Sequence, residues 1–120
     1  MAAFTLDDLA AVIAQRARSD AAVSYTKSLL DAGPPRAAKK FGEEAVELVI
    51  AALEPERQHV VAEAADVLYH LLVVLRARGV TLEEVLGELE RRTAQSGHQE
   101  KAARRLADAP AASAARAAST

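Results

Sequence analysis

Cysteine is absent from this chain of 120 residues. The absence excludes a disulfide framework, a thiolate zinc site and a cysteine nucleophile, so any metal ion must be bound by oxygen or imidazole ligands. Aromatic residues are scarce, with two Tyr, two Phe and no Trp, which leaves little surface for stacking the bases of single-stranded nucleic acid. The net charge is −2, so the basic excess that drives duplex binding is also missing. We therefore expect no nucleic-acid partner.

Long apolar runs and a basic N-terminal region are missing as well. The longest apolar stretch, Val67 to Leu75, is interrupted by His70 and is much shorter than the roughly 20 residues of a membrane-spanning helix. The N-terminal segment contains Asp7 and Asp8 and lacks the basic start of a secretory signal. We therefore expect a cytoplasmic protein with no membrane partner.

Apolar residues recur at helical spacing along most of the chain, and turn signals divide them into segments. Thr5 begins a capping box, Gly33 and two prolines end the second helical segment, and Pro55 opens a long fourth one. The sequence contains no strand-like alternation. The pattern predicts an all-α bundle of four or five helices over residues 1–106. The Ala-rich segment 107–120 lacks large apolar side chains and is predicted to be disordered.

The fourth helix carries acidic residues within a largely apolar surface. At 100° per residue, its Val and Leu side chains cover nearly the whole circumference, which predicts a position in an interior. Glu63, Asp66 and His70 fall within an arc of about 60° on that helix. Because an unpaired buried carboxylate is costly, this arc requires a cation, a basic side chain or water opposite it.

The third helix presents a second acidic strip, formed by Glu43, Glu44 and Glu47. If the third and fourth helices pack antiparallel, as the short connection between them favours, the Glu44/Glu47 pair faces the acids of the fourth helix. Carboxylates without a thiolate select Mg²⁺ or Mn²⁺ over zinc. The pattern therefore predicts a magnesium site suited to chemistry on a phosphate ester or anhydride.

Non-catalytic interpretations of the same acids stay open. The strip on the third helix is typical of a solvated face paired with Lys39 and Lys40, and Glu63 and Asp66 are compatible with salt bridges to another helix. In that case the chain is a helical dimerisation module without enzymatic activity. A histidine on an apolar face, such as His70, is at least as often a hydrogen-bonded core residue as a ligand.

The amount of apolar helical surface predicts an assembly of two copies. Besides the apolar fourth helix, the third helix has a wide apolar arc that includes Val46, Val49, Ile50 and Leu53. One small bundle has limited interior to cover both helices, so we expect a homodimer.

The motif Glu44-x-x-Glu47 followed by Glu63-x-x-Asp66 resembles the metal-binding signature of the MazG-like all-α nucleotide pyrophosphohydrolase superfamily. The segments SYTKSLLDAG, KKFGEEAVELVIAA, EAADVLYHLLVVL, ELERRT and SGHQEKAAR are similar to those of the phosphoribosyl-ATP pyrophosphohydrolases. The resemblance covers approximately residues 4–104. It implies a dimeric MazG-like fold, Mg²⁺ and hydrolysis of phosphoribosyl-ATP to phosphoribosyl-AMP and pyrophosphate, the second step of histidine biosynthesis. A MazG-like enzyme acting on ordinary nucleoside triphosphates is the alternative.

The resemblance also implies roles for particular residues. The acids that would bind metal and support catalysis are Glu44, Glu47, Glu63 and Asp66, with Glu43 as an additional candidate ligand. The candidate substrate-binding residues are Lys40, Lys27, His70 and Arg92, followed by Arg91, Lys101 and Arg104 as further anion-binding candidates. The cyclohydrolase of the next step binds zinc through cysteines, and this chain has none. The resemblance therefore implies that the product passes to a separate phosphoribosyl-AMP cyclohydrolase.

Overall fold

The computed structural model describes residues 2–94, 101 and 104–107. Helices of eight or more residues are α1 (Leu6–Arg16), α2 (Tyr25–Ala32), α3 (Pro34–Ala52), α4 (Arg57–Ala77) and α5 (Leu82–Thr93). Residues 104–107 are also helical, and no strand occurs within the described ranges, so the predicted all-α class is confirmed. In the same part of the chain, every helix is too short or too polar to cross a membrane.

Side-chain caps fix the starts of the first two helices. At α1, the Thr5 hydroxyl accepts a hydrogen bond from the Asp8 N–H, and the Asp8 carboxylate accepts one from the Thr5 N–H. This reciprocal pair is the predicted capping box. At α2, the Ser24 hydroxyl accepts from the Lys27 N–H. Each cap satisfies a backbone donor that has no partner within its helix.

A single glycine separates α2 from α3. Gly33 has φ of 90°, a conformation that glycine adopts without the steric cost other residues incur. α3 begins at Pro34. Proline suits the first helical position because the N–H it lacks would have no partner within the helix. The fourth helix begins at Arg57, two residues after the predicted opening at Pro55.

A small core joins the first four helices. Its buried residues are Ile13, Leu29, Ala37, Leu72 and Val73. α3 and α4 follow one another through a short connection and form the most extensive helix pair, while α2 packs against both of them. This αα-hairpin places the acidic strips of α3 and α4 on neighbouring helices.

The expectation that α4 lies in an interior is wrong for the single chain. Its buried residues are His70, Leu72 and Val73, whereas Val61 is 50% exposed and Leu68 is 42% exposed. The predicted apolar arc of α3 is likewise exposed at Val46, Val49, Ile50 and Leu53. One bundle of this size has too little interior for two such helices, so their apolar sides stay uncovered in one copy.

The chain divides into two compact units. The first ends at Leu82 and the second begins at Glu83, so the second contains most of α5. The predicted disordered segment 107–120 lies outside the described residues except for Ala107, which is helical. The predicted domain end at residue 106 stays a prediction.

Candidate active site

Three of the four predicted metal ligands converge between α3 and α4. Glu44 lies on α3, Glu63 and Asp66 lie on α4, and one carboxylate oxygen of each lies within 4.8 Å of the other two. The three-residue spacing on α4 puts its two acids on one face, and the hairpin brings Glu44 opposite them. Clustered carboxylate oxygens are the donors that a divalent cation such as Mg²⁺ takes.

Glu63 has one carboxylate oxygen without a protein partner. Its Oε1 lies 3.4 Å from His59 Nε2, whereas its Oε2 is enclosed and accepts no hydrogen bond from the described residues. An enclosed acceptor without a partner is costly. A cation bound beside Asp66 and Glu44 would supply that partner, so the donor set fits a divalent ion.

Burial and mutual repulsion oppose ionisation in this cluster. Burial is the main cause that raises the pKa of Glu44, and the charges of Glu47 and Asp66 raise it further. Burial also leads in raising the pKa of Glu63, with the same two neighbours adding to it. Glu47, the fourth predicted ligand, is near enough to affect both pKa values. It is not one of the three acids whose oxygens lie close together. Such a set of acids gains from binding a cation.

His70 is buried, and both of its ring nitrogens have protein partners. Nδ1 lies 2.8 Å from the backbone oxygen of Asp66, and Nε2 lies 3.1 Å from the Tyr25 hydroxyl. Tyr69 packs edge-on against the imidazole, with ring centroids 5.1 Å apart, and its hydroxyl is hydrogen bonded to that of Thr26. These contacts tie α2 to α4 directly beside a candidate metal ligand.

Two residues beside the cluster, His59 and Tyr25, are not among the predicted site residues. His59 lies between two acids, with Nδ1 2.9 Å from Glu54 Oε2 and Nε2 facing Glu63. The hydrogen bond that His59 donates to Glu54 is the main cause that raises the pKa of His59. The four-residue spacing of His59 and Glu63 is the signal that could have found this contact. Tyr25 offered no comparable signal.

Comparisons with known proteins identify the family. Residues 6–93 match the model of the phosphoribosyl-ATP pyrophosphohydrolase family. The chain is 60% identical over 105 residues to phosphoribosyl-ATP pyrophosphatase 1 of Rhodopseudomonas palustris, covering 88% of this chain and 98% of that protein. It is 62% identical over 107 residues to the phosphoribosyl-ATP pyrophosphatase of Methylobacterium radiotolerans, covering 89% of this chain and 100% of the relative. The chain belongs to this family.

In this family member, the two predicted substrate-binding lysines are paired with acids one turn away. Lys40 Nζ lies 3.1 Å from Glu43 Oε2, and Lys27 Nζ lies 2.7 Å from Asp31 Oδ1. Glu43 therefore binds a lysine and lies outside the group of three close acids. Exposed pairs of this kind are weak, so either ammonium group can exchange its carboxylate for a phosphate oxygen.

The predicted arginines of α5 are paired more extensively. Both bind Glu88, with Arg91 Nη2 2.6 Å and Arg92 Nε 3.0 Å from its Oε1. These hydrogen bonds lower the pKa of Glu88 to about 2. Lys101 and Arg104 are exposed. The anion-binding roles of these four residues stay predictions.

Proposed function

We propose that this chain hydrolyses phosphoribosyl-ATP to phosphoribosyl-AMP and pyrophosphate, the second step of histidine biosynthesis, with Mg²⁺ or Mn²⁺ as cofactor. The observation that carries the proposal is the convergence of the Glu44, Glu63 and Asp66 carboxylates. In addition, the enclosed Oε2 of Glu63 has no hydrogen-bond partner among the described residues. Membership of the phosphoribosyl-ATP pyrophosphohydrolase family names the substrate. The chain matches two phosphoribosyl-ATP pyrophosphatases over nearly their whole length. This coverage supports assigning the hydrolysis of phosphoribosyl-ATP to the chain.

The three close acids would hold the ion, with Glu47 as the fourth ligand and Glu43 as an additional candidate. When bound, Mg²⁺ supplies positive charge for the phosphate oxygens and for a water that attacks phosphorus. The protein's part is to fix the carboxylates before substrate arrives. The packing of α3 against α4 does this by fixing the positions from which the carboxylates project. His59 restrains Glu63 from the other side.

Basic side chains bind the phosphates in this proposal. Lys40 lies one turn before Glu44 on α3, and its pKa is raised mainly by the hydrogen bond to Glu43, so the ammonium group is charged at neutral pH. It binds a phosphate oxygen by exchanging that carboxylate. Lys27 and Arg92 are assigned the same kind of contact, and the assignment of His70 is refined below.

We also infer a homodimer. The exposed apolar residues of α3 and α4 support this inference, because soluble monomers rarely leave so much contiguous helical surface uncovered. Phosphoribosyl-AMP would then pass to a separate cyclohydrolase. A cytoplasmic location stays a prediction from the N-terminal sequence.

A substrate panel tests the activity. The purified chain is incubated with phosphoribosyl-ATP, ATP or dUTP in Mg²⁺, with a chelator as control, and both phosphate products are quantified. We expect the highest kcat/KM with phosphoribosyl-ATP, pyrophosphate as product and no orthophosphate. Preferred cleavage of ATP or dUTP would favour the general nucleotide hydrolase, and no metal-dependent cleavage would favour the dimerisation module.

A further inference from the structure

The surroundings of His70 fix the orientation of its ring. A carbonyl oxygen only accepts hydrogen bonds, so Nδ1 carries the proton that bonds Asp66 O at 2.8 Å. In the neutral imidazole, Nε2 then accepts from the Tyr25 hydroxyl at 3.1 Å. Burial and the edge contact with Tyr69 restrict the ring further.

Tyr25, unlike His70, is not buried. The residue is 49% exposed, although its hydroxyl reaches His70 on α4. Its ring stacks on Tyr69, with centroids 6.5 Å apart and an interplanar angle of 18°. The residue also lines a surface cleft of about 350 Å³ together with Arg16, Ser24 and Thr26. Tyr25 therefore has a hydrogen bond and a ring contact within the protein and also a solvent-exposed surface.

The hydroxyl of Tyr25 is linked to α4, the helix that carries two of the three clustered acids. It is joined through one imidazole to the backbone of Asp66. Burial is the main cause that raises the pKa of Tyr25, while the charge of Lys40 lowers it and that of Glu44 raises it. Since its proton is donated to His70, its oxygen keeps lone pairs for another donor. Hydroxyl and amine groups of a nucleotide are donors of that kind.

We propose that the Tyr25 hydroxyl accepts a hydrogen bond from the nucleotide substrate beside the acidic cluster, and that His70 is the positioning residue that holds this hydroxyl in place. The proposal rests on the proposed function for the identity of the nucleotide. It assigns His70 a role that acts through Tyr25, in place of a direct contact with substrate.

The first experiment replaces each tyrosine of the cluster by phenylalanine. Tyr25→Phe removes one hydroxyl and keeps the ring, and Tyr69→Phe is the matched control because it loses a hydroxyl that is hydrogen bonded to Thr26. With phosphoribosyl-ATP and Mg²⁺, we expect Tyr25→Phe to raise KM on the order of tenfold, the effect of losing one substrate hydrogen bond. Tyr69→Phe should keep KM within about twofold. Equal KM values for Tyr25→Phe and wild type would overturn the proposal.

The second experiment tests whether His70 acts through Tyr25. His70→Phe removes the acceptor and keeps a planar ring, and it is measured alone and combined with Tyr25→Phe. Non-additivity in kcat/KM reports coupling that a loss of stability does not produce. We expect His70→Phe alone to lower kcat/KM several-fold, and to add nothing in the Tyr25→Phe background. A full additional loss in the double variant would contradict the positioning role.

Measurements on the wild-type chain separate this proposal from the function itself. If wild type does not cleave phosphoribosyl-ATP, the proposed function fails. If wild type cleaves it and Tyr25→Phe has an unchanged KM, only the present proposal fails. Assays are run well below the melting temperature of each variant, so that unfolding does not contribute.

Discussion

Two acidic regions of this molecule have opposite electrostatics. Between α3 and α4, Glu44 and Glu63 face other carboxylates, and burial together with these like charges raises the pKa of both. On α5, Glu88 faces Arg91 and Arg92, which lower its pKa to about 2. Both regions have acids at helical spacing, so spacing alone does not separate them.

The difference shows which acids are prepared for a ligand. Glu88 already has its cations within hydrogen-bonding distance, so it gains little from a metal ion. Glu63 has an enclosed oxygen that lacks a partner within the described part of the chain, and it has two acidic neighbours. A divalent cation therefore relieves both penalties at once. The charge around an acid, more than the number of acids, indicates the metal site.

The largest effect is expected for removal of a clustered charge. Asp66→Asn should lower kcat for phosphoribosyl-ATP on the order of 10²-fold or more, because a preorganised group that acts on the transition state is lost. Glu47→Gln should have a similar effect. Steady-state kinetics in saturating Mg²⁺ measure it, with the exposed Glu56→Gln as matched control. Full activity of Asp66→Asn would remove the cluster from the mechanism.

Lys40→Ala should have a smaller effect that falls mainly on KM. An ammonium group that binds a phosphate in both the ground and transition states contributes to capture, so KM should rise about tenfold with a smaller change in kcat. Its neighbour Lys39 is exposed and serves as control in Lys39→Ala. A loss confined to kcat would mean that Lys40 acts in the chemical step.

Charge removal should shift stability in opposite directions in the two regions. In a chelator, Glu63→Gln should raise the melting temperature, because repulsion within the cluster decreases. Glu88→Gln should lower it slightly, since two exposed arginines lose their shared partner. Calorimetry of the two variants and wild type measures both shifts. Shifts of the same sign would undermine the comparison.

The smallest effect is the pH dependence of Glu88. Its pKa in the folded chain is about 2, below the ordinary value of 4.5. The stabilisation from this group is therefore fully present above about pH 4.5 and is lost as pH falls toward 2. An NMR titration of the side-chain carboxyl should report the low pKa, and added salt should raise it. A value near 4.5 in low salt would show that the arginine pairs do not persist in solution.

Local chemistry made the helices and part of the site predictable. Thr5, Ser24 and Gly33 mark helix ends through hydrogen bonds and backbone conformations that depend on near neighbours. Periodicity placed Glu63 and Asp66 on one face of α4, and a short connection brought α3 beside it. Both inferences need only helix geometry.

Side-chain partners and burial were less predictable. Periodicity identified α4 as apolar all round, yet a single chain has too few neighbouring helices to cover Val61 and Leu68. Sequence spacing did not distinguish Glu47 from the three acids that lie close together. The distance from Glu47 to the acids of α4 depends on how the two helices are rotated about their axes. The Tyr25 contact with His70 joins residues 45 positions apart, beyond the reach of any local pattern.

The melting temperatures in Mg²⁺ and in chelator test whether the acidic cluster binds a metal ion. An ion that binds the folded chain at the cluster stabilises it by about 2.7 kcal/mol at 100 times its Kd, which corresponds to a rise on the order of 10 °C for a domain of this size. We expect this rise in wild type and in Glu88→Gln, and its loss in Asp66→Asn. Identical melting of wild type in Mg²⁺ and in chelator would contradict the assignment of these acids as a metal site.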